Sequence, residues 1–266
     1  MNASASLKFS YIGLILFLMY LPIIILIVLS FNQSVYSMQW SGFSMQWYQE
    51  LWQDQAIWLA ALNSLLLGAS NAICATVLGC LAAINLYRYS FFSKKITKAS
   101  LIALLIAPDI MLGVSFLLLF SFLHIKLGFL TLLGAHITFC LPFVTITIYS
   151  ALSSCDKNIF EAAKDLGASE FKIIMKILLP ILWPALLASW LLSFTLSLDD
   201  VIISYFISGP NFEILSLKIY ALARSGLKPE LNALCTVIFG VTLCLVVAFH
   251  LMLYYQRKTR KIPYEN

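Results

Sequence analysis

From Ile57 to Tyr87 the chain carries no Asp, Glu, Lys or Arg. A helix that crosses a bilayer needs about 20 mostly apolar residues. This run exceeds that length, and tilt or extension beyond the bilayer absorbs the excess. Six stretches qualify as spans, at roughly 9–31, 60–87, 101–123, 128–150, 178–207 and 232–255. Hydrophobic residues make up 61%, charged residues 11%, and the mean hydropathy is +0.92. A soluble domain carries roughly 25% charged residues. Lipid is therefore the solvent for much of this surface, and the expected fold is an all-α integral membrane protein. The whole chain, 1–266, is read as one transmembrane domain.

The net charge of +5 does not point to nucleic acid, because the basic residues cluster between apolar runs rather than on one face. The six cysteines, Cys74, Cys80, Cys140, Cys155, Cys235 and Cys244, show no Cys-x-x-Cys spacing, so neither a disulfide framework nor a metal site is indicated. The run from Tyr11 to Phe31 is longer than a signal h-region, and no small-residue cleavage site comes after it. It reads as a retained first span.

Lys and Arg favour cytoplasmic connections. With the N-terminus inside, one side holds Lys8, Arg88, Lys94, Lys95, Lys98, Lys157, Lys164, Lys172, Lys176, Arg257, Lys258, Arg260 and Lys261. The other holds only Lys126, Lys218, Arg224 and Lys228. Both termini are expected in the cytoplasm. The 32–59 segment, with Trp40, Trp47, Tyr48, Trp52 and Trp58, is then external and reads as an interfacial aromatic belt or a contact surface for an external partner. Segment 208–231, also external, is a lid, a re-entrant element or a loop.

The connection 151–180 falls on the cytoplasmic side and carries the most information. Asn158 with Glu161 fits an N-cap and its capping-box partner. Ile159, Ala163, Leu166, Ile173 and Ile177 form one stripe, and charged residues line the other faces. Gly167 costs about 1 kcal/mol in a helix interior, so a sharp turn between two short helices, or close approach of another backbone, is expected there. Pro180 stops or kinks the chain as the next span begins.

Glu161-Ala162-Ala163, then Gly167, then a hydrophobic run ending in Leu179-Pro180, resembles the signature loop of binding-protein-dependent ABC importer permeases. The likeness extends over Tyr20–Ile27, His136–Phe143, Glu161–Phe171, Leu192–Ser197 with Asp199 and Asp200, and Glu213–Tyr220. Across these segments the chain is similar to the spermidine/putrescine permeases of that family. The resemblance implies a type I ABC importer permease fold whose coupling helices dock on an ATPase through Glu161, Ala162, Ala163, Asp165, Gly167 and Pro180. It also implies a second related permease, a homodimeric ATPase and a periplasmic polyamine-binding protein as partners. No Gly-x-x-x-x-Gly-Lys loop occurs in the chain, so ATP and Mg belong to the separate ATPase, and the chain itself is expected to be neither an enzyme nor a cofactor carrier.

A carboxylate inside a span costs about 2.5–3.5 kcal/mol and normally faces a cavity or a partner. Asp109, behind Pro108, and the pair Asp199 and Asp200 are of this kind. With Trp190, Phe194 and Tyr205 they suit a cationic passenger, whose ammonium groups need carboxylates or aromatic faces in place of water. The competing reading caps the kink with Asp109 and pairs Asp199 and Asp200 with a partner permease. His136 and His250 read as packing or interhelical hydrogen-bonding residues. Two other functions compete: import of a different solute, and an ion-coupled secondary transporter using the same acids. The second leaves the amphipathic loop without a role.

Overall fold

The computed structural model describes residues 3–34, 39–156, 158–226 and 228–259, with the side chains of 3–10, 158, 245, 248–250 and 252–259 outside that description. Lys157, Arg260 and Lys261, which count toward the topology, lie outside the described residues, as does the His250 side chain. Among the described residues the regular structure is helical, apart from one antiparallel bridge between Asn32 and Phe43. Four helices are long and apolar enough to cross a membrane: Tyr11–Leu29, Gln55–Arg88, Phe129–Ser153 and Glu170–Asp199. A bent pair of apolar helices forms a broken span or a re-entrant loop, and the expected sixth span, 232–255, falls within one helix, Pro229–Thr259.

The chain divides into two compact units, Met1–Gln55 with Ala221–Asn266, and Ala56–Tyr220. In the first, α1 (Ala3–Leu29) packs against α12 (Pro229–Thr259), and α2 (Gln46–Gln53) also lies on α12. None of the α1 span is buried within the chain, as suits a helix solvated by lipid or by another subunit. The aromatic segment after α1 separates into two kinds of residue. Trp47 is buried and its indole N–H donates to the Asn32 carbonyl at 2.7 Å, while Phe31 stacks on Phe43 and Tyr48. Trp40 and Trp52 remain exposed.

The second unit is built on α3 (Gln55–Arg88), α6 (Phe129–Ser153) and α9 (Leu179–Asp199). On α3 the buried positions are mostly small, including Ser64, Gly68, Ala72, Ala75, Gly79 and Ala83. Small residues let membrane helices approach closely where no hydrophobic driving force exists between them and lipid. At Gly79 a side chain would run into Val144 of α6, and at Gly68 it would meet the Phe194 ring of α9 at 3.1 Å.

Two expected spans differ from the structure. Span 101–123 is not continuous: α4 (Lys94–Ile106) and α5 (Asp109–Phe122) meet at 110°. Ala107 is extended at ψ 132° because a residue before proline is pushed out of the helical region, and Pro108 comes next at ψ 135°. Span 178–207 is displaced towards the N-terminus, since one helix runs from Glu170 to Asp199 and breaks at Asp200 before the short α10 (Ile202–Ile207). Segment 208–231 contains a helix, α11 (Leu215–Arg224). It is tied down by the Leu215 N–H donating to Ser64 Oγ at 2.7 Å and by Asn63 Nδ2 donating to the Glu213 carbonyl at 2.9 Å.

Candidate functional site

The amphipathic connection folds as an elbow. α7 (Asn158–Asp165) ends in a two-bond reversal in which Gly167 N–H donates to the Lys164 carbonyl at 2.8 Å and Ala168 N–H to the Ala163 carbonyl at 3.0 Å. This is the Schellman C-cap, which requires a left-handed residue, and Gly167 supplies it at φ +78°. No other atom lies where a Gly167 side chain would start, so backbone conformation rather than crowding selects glycine here. Ser169 then caps α8 (Glu170–Ile173), accepting from Lys172 N–H.

Beyond α8 the helix widens into a π turn, Ile174–Leu178, and continues directly into α9. Pro180 was expected to stop or kink the chain. Instead the helix passes through it, because the π turn lies where the proline ring would crowd the carbonyl four residues back.

The expected apolar stripe is split between interior and surface. Ala163 and Ile173 are buried, Phe160 takes an inward place beside them, and Ile159 is exposed. Leu166 is 89% exposed and Phe171 70% exposed. Glu161, Ala162, Asp165 and Gly167 share that exposed surface, while Ala163 points inward.

The inner side is clasped to the end of α3. Arg88 stacks over the Phe160 ring at 5.5 Å and bonds Glu170 at 2.7 Å, and Glu170 also pairs with Lys164 at 2.9 Å. Tyr87 meets the same ring edge-on. In the sequence Arg88 read only as a topology-setting charge. Arg88 and Phe160 stand on either side of three intervening helices in the chain, so nothing in the sequence pairs them.

The intramembrane acids are placed by the two helix breaks. Asp109 is the first residue of α5 and half-buried. One turn on, Gly113 packs against Ile203 and Phe206, so Asp109 lies on the face of α5 that turns toward α10. Asp199, the last residue of α9, is exposed. Asp200 turns inward. Its carboxylate accepts from Ile203 N–H at 3.2 Å, Ser204 N–H at 2.8 Å and Ser204 Oγ at 2.7 Å, and His136 Nε2 lies 3.5 Å away.

The aromatics do not gather at these acids. Tyr205 is exposed and meets Tyr220 edge-on at 5.8 Å. Trp190 stacks on Phe194 and lines an apolar groove of about 590 Å³ between α3 and α9, nine residues from Asp199. Among the described residues no three of His, Cys, Asp and Glu come together to hold a metal.

Comparison with known proteins agrees with this architecture. Residues 75–261 match the family model described as "Binding-protein-dependent transport system inner membrane component". The chain is 47% identical over 234 residues to the spermidine/putrescine transport system permease protein PotC of Escherichia coli (strain K12), covering 88% of this chain and 89% of that protein. It is 41% identical to the putrescine transport system permease protein PotI of the same strain, covering 88% and 86%.

Among solved structures, a chain of a bacterial ABC transporter that imports the acidic polysaccharide alginate superposes with a TM-score of 0.73 at 14% identity, covering 96% of this chain and 98% of that one. A chain of the MetNI methionine ABC transporter superposes at 0.61 and 17% identity, covering 74% and 95%. At these identities the structural likeness speaks for the fold, and the sequence relatives carry the assignment: the chain belongs to the family of binding-protein-dependent transport system inner membrane components.

Proposed function

We propose that this chain is a permease subunit of an ATP-driven importer that carries polyamines, spermidine or putrescine, across the bacterial inner membrane. The observation that carries the coupling role is the elbow. It presents a solvent-facing surface of Glu161, Ala162, Asp165, Leu166 and Phe171, and joins through an unbroken helix to α9. An exposed apolar pair rimmed by carboxylates is a docking surface for a soluble partner. In this reading the elbow and both termini are cytoplasmic, and Glu161, Ala162, Ala163, Asp165, Gly167 and Pro180 form the coupling element.

The cargo rests on the relatives PotC and PotI and on the acids. Asp199 and Asp109 line the cation path, the exposed Tyr205 offers an aromatic face beside it, and Asp200 supports the segment from behind. A second, PotB-like permease completes the cavity. A PotA-like homodimeric ATPase binds ATP and Mg, and a PotD-like periplasmic protein delivers the polyamine. ATPase closure moves the elbow, α9 moves with it as a rigid lever, and the two permeases rock between inward- and outward-open states.

Purification of the complex in detergent tests this. An ATPase, a second permease and polyamine-stimulated ATP hydrolysis are expected to appear together. Transport of polyamine by this chain without a nucleotide-hydrolysing partner would overturn the proposal.

A further inference from the structure

Where α9 gives way to α10, a single side chain from a third helix spans the break. His136 of α6 is only 1% exposed. Its Nδ1 lies 2.7 Å from Ser197 Oγ of α9 and its Nε2 lies 3.0 Å from Ser204 Oγ of α10. Ser204 Oγ donates to Asp200 Oδ2, which as a carboxylate oxygen only accepts, so the same hydroxyl oxygen is left to accept from the ring. The ring's Nε2–H then donates to Ser204, and Nδ1 shares a hydrogen bond with the Ser197 hydroxyl, so both ring nitrogens are partnered. The Asp200 carbonyl is held in turn by Ser216 Oγ of α11 at 2.8 Å.

These bonds fix the backbone turn itself. Asp200 leaves the helical region at ψ 124°, and its carboxylate caps the first turn of α10. With Asp200 locked inward, its neighbour Asp199 is the residue left on the exposed side.

The geometry points to His136 as a positioning residue, a brace across the α9–α10 break that holds Asp200 in and Asp199 out. The importance of Asp199 for transport rests on the polyamine-path reading proposed for this chain; the brace itself does not. A buried hydrogen-bonded chain of this kind is sensitive to loss of any member, because the remaining groups are left unpaired in a poorly solvating interior.

The test uses the full chain in membrane vesicles with its partners, its six cysteines replaced by Ala and Asp199→Cys introduced as a reporter for a membrane-impermeant thiol reagent. Adding His136→Leu is expected to change the labelling rate per molecule by about tenfold, the ratio equivalent to one lost buried hydrogen bond. His136→Gln, which keeps a donor and an acceptor, is expected to restore the rate to within about threefold of the parent. A general loss of stability would lower the amount of chain without changing labelling per molecule. Unchanged labelling in His136→Leu overturns the inference. If that variant does not accumulate, Ser204→Ala takes its place with the same change of about tenfold expected, and unchanged labelling there is equally decisive. Asp199→Asn with undiminished polyamine uptake would sink the cation-path reading, while altered labelling in His136→Leu would still support the brace.

Discussion

The chain reverses a helix at the elbow and breaks one between α9 and α10, and it does so by different means. At the elbow, the turn is made locally. Gly167 supplies the left-handed residue, Ser169 caps the short helix after it, and all of the backbone bonds run within a few residues. At the α9–α10 break, the turn depends on groups far away in sequence, since His136 and Ser216 hold residues 197–204 from α6 and α11. A local turn keeps its shape while its surface engages and releases a partner. A turn held from several helices keeps its shape only while those helices stay packed, so it senses their movement.

The largest expected effect separates these two designs. Asp200→Leu strips the acceptor from Ile203 N–H, Ser204 N–H and Ser204 Oγ in a buried site, and is expected to cost about 2–5 kcal/mol of stability. Thermal unfolding of the purified chain in detergent measures it. A loss below about 0.5 kcal/mol, the size of a surface substitution, would mean that the Asp200 carboxylate does not hold the break.

Next in size, Gly167→Val forces a β-branched residue to φ +78°, a strain of about 1–2 kcal/mol confined to the elbow. The chain is expected to reach the membrane in normal amount while ATP hydrolysis and uptake become uncoupled. Coupled uptake at the parental rate would break the assignment of the elbow as the docking element.

A smaller effect on the fold, with a selective effect on assembly, is expected for Leu166→Ser. The side chain is 89% exposed, so stability should change by no more than about 0.5 kcal/mol. Recovery of the ATPase with the chain should fall several-fold. Equal recovery would remove Leu166 from the interface and leave Phe171 as the apolar contact.

Narrowest in reach, Ser169→Ala removes a single cap bond of 3.4 Å and is expected to cost about 0.5–1 kcal/mol within the elbow alone, read as faster proteolytic nicking near residue 169. A larger loss would mean that this cap, more than the Arg88 clasp on Glu170, holds the start of α8.

The same contrast explains what the sequence disclosed. Apolar runs and the bias of Lys and Arg outlined the spans, because length and charge are local properties of the chain. The glycine turn at 167 was legible for the same reason. The split of the stripe into buried Phe160 and exposed Leu166 was not, because it depends on Arg88 and Tyr87 arriving from α3 to cover one side.

Pro108 signalled a disturbance, but its depth, a 110° bend rather than a kink, comes from two successive extended residues that helix propensity does not foresee. Helix geometry turns Asp199 and Asp200 about 100° apart, but the sequence did not say which of them faces inward. Only the serines and the imidazole around one of them distinguish the pair.

The π turn between elbow and span has its own consequence for register. Each residue of an α-helix advances the chain by about 100° around the axis, and a π turn carries one residue more than an α turn. Rewinding Ile174–Leu178 into regular α geometry with every residue kept would swing α7 and α8 by roughly a quarter of a revolution about α9. The handle would keep its caps and its ion pairs with itself, yet Glu170 would no longer reach Arg88, and Leu166 would face a different compass point. The aim of the handle is thus stored in one surplus residue of helix.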